Sequence, residues 1–151
     1  MPEKATIERA RRDKRQGKSA STQAGEFVRE EMHHIREGKH GARSAKQAIA
    51  IGLSKARRAG VKLAVPKKGK VSAQTRQSAL RDAAAAKRAT PKRPSRARSR
   101  AMTEKLKKEG HAAASHLALS RQAHSAARRR TKSDRSAAAR KAARTRAAHS
   151  H

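Results

Sequence analysis

The chain lacks cysteine, tryptophan and tyrosine, and its single phenylalanine is Phe27. The absence of cysteine excludes disulfide bonds, thiolate metal sites and cysteine nucleophiles. The near absence of aromatic rings disfavours sequence-specific binding of single-stranded nucleic acid, because such binding stacks bases on aromatic side chains. Much of the apolar content is alanine, which buries little surface. We therefore expect a small folded core and long segments that are disordered or transiently helical.

Acidic residues are also scarce: 11 Asp and Glu stand against 41 Lys and Arg, for a formal net charge of +30 over 151 residues. The imbalance is uneven along the chain. Residues 1–38 carry nine basic and seven acidic side chains (net +2), whereas residues 39–151 carry 32 and four (net +28). An excess of this size predicts a polyanionic partner for the basic part of the chain.

Signals for membranes and for catalysis are missing as well. No apolar run approaches the ~20 residues of a membrane span, and the segment MPEKATIERARRDKRQ lacks the apolar core of a secretory signal. We expect a soluble cytoplasmic protein with no membrane partner. The sequence contains no phosphate loop, dinucleotide fingerprint or nucleophile elbow, which predicts a protein that is not an enzyme and needs no cofactor.

The eight histidines do not predict a metal site. His33, His34 and His40 are close in sequence, but neighbouring residues of a helix point about 100° apart and do not readily face one ion. The later histidines are irregularly spaced. We therefore expect solvated histidines and no bound metal.

Apolar periodicity and helix-capping signals predict an all-α fold. We expect a polar N-terminal helix in residues 1–19, a short helical hairpin in residues 20–65 and a basic low-complexity tail in residues 66–151. The tail is expected to be largely disordered or transiently helical, because residues 91–151 have four large apolar side chains against 18 Lys and Arg. No core is expected there. A hairpin this small is a candidate for homodimerisation.

Two surfaces are expected to meet inside the hairpin. The first helix carries an apolar ridge, which consists of Phe27, Met32 and Ile35. The second helix runs from a capping box at Ser44 to a stop at Gly60 and carries a small-residue groove. The groove consists of Ala48, Gly52 and Ala56. Glycine inside a helix costs about 1 kcal/mol relative to alanine, so Gly52 indicates the close approach of another backbone.

Glu31 lies within the apolar side of the first helix, where an isolated helix would not place a carboxylate. Two interpretations stay open. The side chain either reaches water at the edge of the apolar surface, or forms an ion pair with a basic residue of the second helix such as Lys55.

The segment KQAIAIGLSKARRAG, residues 46–60, is the most distinctive of the sequence. Together with its surroundings, residues 21–63, it resembles a family of small basic prokaryotic proteins that bear a domain of unknown function. The resemblance implies a bacterial or archaeal cytoplasm and brings no activity or residue roles. The tail is similar in composition to the Ala/Lys/Arg-rich tails of histone H1-like proteins. Its TPKR segment (90–93) has the form of the S/T-P-K/R-K/R units that lay cations along a minor groove.

These features predict a non-sequence-specific DNA-binding protein of the nucleoid, which neutralises phosphates and compacts DNA. The expected partner is double-stranded DNA, with RNA as the alternative polyanion. Two other interpretations stay open: an RNA- or ribosome-associated basic protein, and a small protein-interaction module tethered to nucleic acid. A helix-turn-helix is disfavoured, because the six-residue connection GKHGAR is long for that motif and no third helix follows. The residues expected to contact nucleic acid are Lys46, Arg57, Arg58, Lys62, Lys67, Lys68, Lys70, Lys92, Arg93, Arg128, Arg129, Arg130, Arg140 and Lys141.

Overall fold

The computed structural model describes residues 2–87 and 95–148. Within these ranges the chain forms α-helices, a single-turn 3-10 helix at Ala112–Ala114 and no β-strand, so the predicted all-α class is confirmed. The α-helices are α1 (Lys4–Arg15), α2 (Ala20–Arg36), α3 (Ala45–Arg58), α4 (Ala73–Ala85), α5 (Arg96–Lys107), α6 (His116–Arg128) and α7 (Lys132–Ala148). The chain divides into a first unit that ends at Ser115 and a second unit that begins at His116.

Serine residues set where four of the helices begin. Each serine hydroxyl accepts a hydrogen bond from the backbone N–H three residues later, which satisfies a donor that the first helical turn leaves unpaired. The pairs are Ser19 with Thr22, Ser44 with Gln47, Ser72 with Thr75 and Ser95 with Arg98. The predicted start of α3 at Ser44 is confirmed. Its predicted stop is confirmed too, since Gly60 has a φ of 92°, which favours glycine.

The core of the first unit lies where α1, α2 and α3 meet. Phe27 and Ile35 are the largest fully buried apolar side chains of the described residues. Phe27 forms a cluster with three buried alanines, Ala10, Ala24 and Ala56. Four partly buried side chains pack against this cluster: Ile7, Leu53, Val61 and Leu63. The core therefore extends beyond the predicted hairpin, because α1 contributes Ile7 and Ala10 to it.

Helices α2 and α3 bury the two surfaces that were predicted to meet. All three ridge residues and all three groove residues are buried. The closest contact differs from the prediction, since a Cβ atom at Gly52 would lie 2.7 Å from Cα and 3.0 Å from Cγ2 of Val28. The groove therefore receives the backbone of α2 at Val28 itself, between the ridge residues, and only glycine permits this approach.

Residues 106–115 dock onto the connection between α2 and α3, which corrects the expectation that no core forms after residue 91. The amides of Gly41 and Ala42 donate to the carbonyl oxygens of Leu106 (2.8 Å) and Gly110 (3.0 Å). Arg36 Nε donates to the carbonyl oxygen of Ala114, which is fully buried. The docking uses backbone hydrogen bonds and small alanines, so it needs none of the large apolar side chains whose scarcity suggested a coreless tail.

The second unit consists of α6 and α7, and neither helix buries a residue. Alanine-rich sequence accounts for their helical conformation, because alanine has the highest intrinsic helix propensity. Of the seven charged side chains in α7, six are Lys or Arg and one is Asp134. No helix of the described ranges is long and apolar enough to cross a membrane.

Candidate nucleic-acid interface

The structure places the predicted phosphate-contacting residues in two regions. Seven lie on α3 or in the loop that follows it, from Lys46 to Lys70. Five lie in the second unit, from Arg128 to Lys141. Lys92 and Arg93 lie outside the described residues.

The α3 region is less open than the sequence predicted. Lys46 and Arg58 are exposed, but Arg57 is partly buried, and its Nε atom is buried without a hydrogen-bond partner among the described residues. Helix α4 packs on the side of α3 that carries Ser54, whose Oγ donates to Asp82 Oδ2 at 2.7 Å. Lys46 and Arg58 therefore remain available to a ligand from this helix, and Arg57 is a weaker candidate.

The loop after α3 exposes four lysines, Lys62, Lys67, Lys68 and Lys70. It turns at Gly69, which has a φ of 84°, and it leads into α4. Ammonium groups at this spacing can each reach a different phosphate of a polyanion, because the stems of lysine are long and flexible.

The second unit exposes every one of its predicted cations. Arg128, Arg129 and Arg130 follow one another at the end of α6, while Arg140 and Lys141 lie on α7. The segment from His116 onward holds ten Lys and Arg but a single acidic residue, Asp134. Lys and Arg side chains therefore surround α7, and this helix has no apolar side that could pack against a protein core.

Within the described ranges, none of the twelve predicted cations forms an ion pair. The ion pairs that exist there use other basic residues, Arg9, Lys18, Lys39, Lys55 and Lys107. The imidazoles of His34 and His40 also contact carboxylates. The predicted cations thus keep their charge uncompensated by the protein, which is the electrostatic condition for binding phosphates.

A second group of charged residues lies inside the first unit, and its members are shielded from solvent and paired with one another. Glu31 is 1% exposed, and its Oε2 atom lies 2.6 Å from Lys55 Nζ. Lys55 Nζ also lies 3.6 Å from Oε1 of the buried Glu30. The ion-pair interpretation of Glu31 is therefore confirmed, and the interpretation in which it reaches water is wrong.

Two histidines adjoin this buried pair. Nε2 of His40 lies 3.2 Å from Glu31 Oε1, and Nε2 of His34 lies 2.9 Å from Glu3 Oε1. The hydrogen bond from His34 is the main cause that lowers the pKa of Glu3 below its ordinary value, and the charge of Lys39 adds to it. Glu31, His34 and His40 each offer one ligand atom, and these three atoms lie within 4.8 Å of one another.

Sequence reasoning missed this cluster because it compared histidines only with one another. His33 and His34 do diverge, as expected, and His33 is exposed. The informative spacing was Glu31-x-x-His34, since residues three apart on a helix share a face. His40 then reaches the same place from the connection after α2, which no periodicity reveals.

Residues 4–69 match the model of a family of unknown function (DUF6496). The matched range begins at α1 and ends in the lysine-bearing loop after α3, so it contains the segment 46–60 and the buried charged group. No curated protein and no solved structure matches the chain. The likeness of the tail to histone H1-like proteins therefore rests on its composition alone.

Proposed function

We propose that the protein binds duplex DNA without strong sequence preference, as a histone-like, nucleoid-associated protein that neutralises phosphates and compacts DNA. The observation that carries this proposal concerns the twelve predicted cations from Lys46 to Lys141. All of them except Arg57 are exposed, and none forms an ion pair within the described residues. A protein of net charge +30 with this arrangement attracts a polyanion over distances longer than any single contact.

Binding would proceed through counterion release. Each phosphate that a Lys or Arg side chain neutralises frees a condensed cation from the duplex, and this entropy gain does not depend on base sequence. The second unit suits this mode because α7 presents Lys and Arg side chains on all sides. The cations from Lys46 to Lys70 would add contacts from the first unit.

Duplex DNA is favoured over single strands because the chain has no stacking platform. Proteins that bind single-stranded RNA or DNA stack bases on exposed aromatic rings. The sole aromatic residue, Phe27, is 1% exposed and lies in the core. The same burial supports the role of α1–α3 as a folded anchor that carries the cationic surface.

Homodimerisation through α2 and α3 stays a prediction. These helices bury their ridge and groove against each other within one chain, so a second copy would have to use other surfaces of the hairpin. Residency in the cytoplasmic nucleoid is likewise part of the proposal, and it follows from the DNA partner.

The test of the proposal is competition binding with the full chain. Fluorescence anisotropy would compare labelled DNA duplexes of equal length and unrelated sequence, with double- and single-stranded RNA of equal phosphate count as competitors. We expect similar affinity for all DNA duplexes and weaker binding of both RNAs. A sequence-specific reader would separate the duplexes by about tenfold or more, since a mismatched base pair costs about 1–3 kcal/mol. Tighter binding of RNA would contradict the DNA assignment.

A further inference from the structure

We propose that Glu31, His34 and His40 form a binding site for one divalent transition-metal ion, with zinc as the best match. Two imidazoles and one carboxylate are a donor set that zinc accepts with three protein ligands and one further position. The three ligand atoms already lie within 4.8 Å of one another. Nothing in this inference depends on nucleic-acid binding.

The distance between His40 and Glu31 matches a shared metal. Two ligands on a tetrahedral zinc ion, with bonds of about 2.0–2.1 Å, stand about 3.3 Å apart. His40 Nε2 and Glu31 Oε1 stand 3.2 Å apart. His34 needs to approach by at most about 1.5 Å to reach the same spacing, which a small side-chain rotation supplies.

The hydrogen bonding of His40 leaves an acceptor pointing at another acceptor. Nδ1 of His40 lies 3.1 Å from the carbonyl oxygen of Gly41, and a carbonyl only accepts, so Nδ1 carries the proton. In the neutral ring Nε2 is then an acceptor that faces Glu31 Oε1, and this oxygen is buried with no hydrogen bond among the described residues. Either a proton on Nε2 or a metal ion between the two atoms removes the conflict, and the metal titration described below distinguishes the two. Backbone support of the distal ring nitrogen is also the usual arrangement of metal-bound histidines.

His34 has the corresponding support from a carboxylate. Its Nε2 atom contacts Glu3 Oε1 at 2.9 Å, and Lys39 holds the same oxygen at 3.6 Å. A metal ion on Nδ1 of His34 would leave Glu3 on the far side of the ring, where a carboxylate fixes the imidazole and raises its basicity as a ligand. We assign Glu3 this supporting role.

The charge around the site calls for a dication. Four carboxylates gather here, and two ammonium groups pair with them, which leaves two negative charges when the imidazoles are neutral. The carboxylates are Glu3, Glu30, Glu31 and Glu37, and the ammonium groups are those of Lys39 and Lys55. Lys55 binds Oε2 of Glu31, so Oε1 remains for the metal.

The site adjoins an opening to solvent. A cleft of about 130 Å³ opens beside the site, and its lining includes three carboxylates and two cationic side chains together with His33 and His34. The carboxylates are those of Glu3, Glu30 and Glu37, and the cations are Arg9 and Lys39. His34 is the one proposed ligand that lines this cleft. Three carboxylates against two cations leave the lining with a small negative excess, which favours the approach of a dication in a chain that is otherwise strongly positive.

The experiment uses the full chain without nucleic acid and titrates it with Zn²⁺ by calorimetry and with Co²⁺ by visible absorption. We expect one ion per chain and the intense visible bands of four-coordinate cobalt. His34→Gln and His40→Gln should each weaken zinc binding by about tenfold or more, the range in which even supporting partners act. His33→Gln is the matched control, because His33 neighbours His34 and lines the same cleft but contributes no ligand atom to the cluster. It should bind zinc as the unchanged chain does.

Equal losses in all three variants, or no stoichiometric binding by the unchanged chain, would overturn the proposal. If a variant loses its helical circular dichroism, the unchanged chain is used to test the site instead. Labelled with ¹⁵N-histidine, it should show ring-nitrogen shifts on zinc addition for His34 and His40 and none for His33. Shifts spread over all histidines would mean surface binding and contradict the site.

Discussion

One charge pair in the first unit is largely shielded from water. Glu31 is 1% exposed and Lys55 is 23% exposed, so their contact at 2.6 Å lies in a medium that screens charge weakly. Removing one member of such a pair leaves the other charge without its partner, and this is costlier than losing a pair at the surface. Glu30, at 3.6 Å from Lys55, limits the loss because it continues to face the ammonium group.

Glu31→Gln should therefore destabilise the first unit by about 1–3 kcal/mol, the cost of leaving a buried polar group poorly satisfied. The measurement is urea unfolding followed by circular dichroism, with a chelator present so that metal binding does not contribute. Glu26→Gln is the control, because Glu26 pairs with Arg9 at 2.6 Å but both side chains are more exposed, at 20% and 36%. It should cost less than about 1 kcal/mol. Equal effects of the two substitutions would show that burial does not strengthen the Glu31 pair.

Gly52 provides a second test at this scale. Gly52→Ala should destabilise the protein by about 1–3 kcal/mol, because the new Cβ overlaps the backbone of Val28 and overpacking costs this much. Gly25→Ala, also within a helix, meets nothing within 4 Å and should stabilise by about 0.5–1 kcal/mol through helix propensity. Thermal or urea unfolding of both variants measures whether each substitution raises or lowers the free energy of unfolding. A stabilising Gly52→Ala would mean that α2 and α3 do not approach closely at this point.

At the scale of elements, local sequence signals predict where a helix begins and ends and which of its faces is buried. Ser44 and Gly60 mark α3 because capping and positive φ are properties of short segments, and the spacing of apolar residues finds the buried faces. Those signals do not extend to the docking of residues 106–115. Ala113 and Ala114 look like any other alanines of the tail, and their burial depends on the backbone geometry of Gly41 and Ala42 across the fold. The cluster of Glu31, His34 and His40 could not be predicted for the same reason, since His40 joins it through the chain reversal after α2.

The docked segment can be tested through Gly41. A Cβ there would overlap the backbone of Glu109, so Gly41→Ala should release residues 106–115 from the connection between α2 and α3. Trypsin should then cut faster after Lys107 and Lys108. The amide of Ala42, which donates to Gly110, should exchange its hydrogen faster as well. Gly110→Ala is the control, because a Cβ there meets nothing within 4 Å. Equal protease sensitivity of the two variants would contradict the docking.

At the scale of the whole molecule, charge separates the two units. Ten of the 11 acidic residues belong to the first unit, and the second holds ten Lys and Arg against a single acid. Carboxylates of the first unit therefore neutralise part of its positive charge in internal ion pairs, such as those of Arg9, Lys39 and Lys55. We expect the second unit to supply more phosphate contacts per cation, and α3 with its following loop to serve chiefly as part of the folded anchor.

The most direct test compares two full-length variants, each with five cations changed to Gln, in duplex-DNA binding across a salt series. The second-unit variant changes Arg128, Arg129, Arg130, Arg140 and Lys141. The first-unit variant changes Lys46, Arg58, Lys62, Lys67 and Lys68, which are equally exposed and lower the net charge by the same amount. Each lost phosphate contact reduces the slope of log K against log salt by about 0.9. The account predicts a loss near 4–5 in slope for the second-unit variant and about 1–2 for the first-unit variant. An unchanged slope in the second-unit variant, or an equal or greater loss in the first-unit variant, would contradict it.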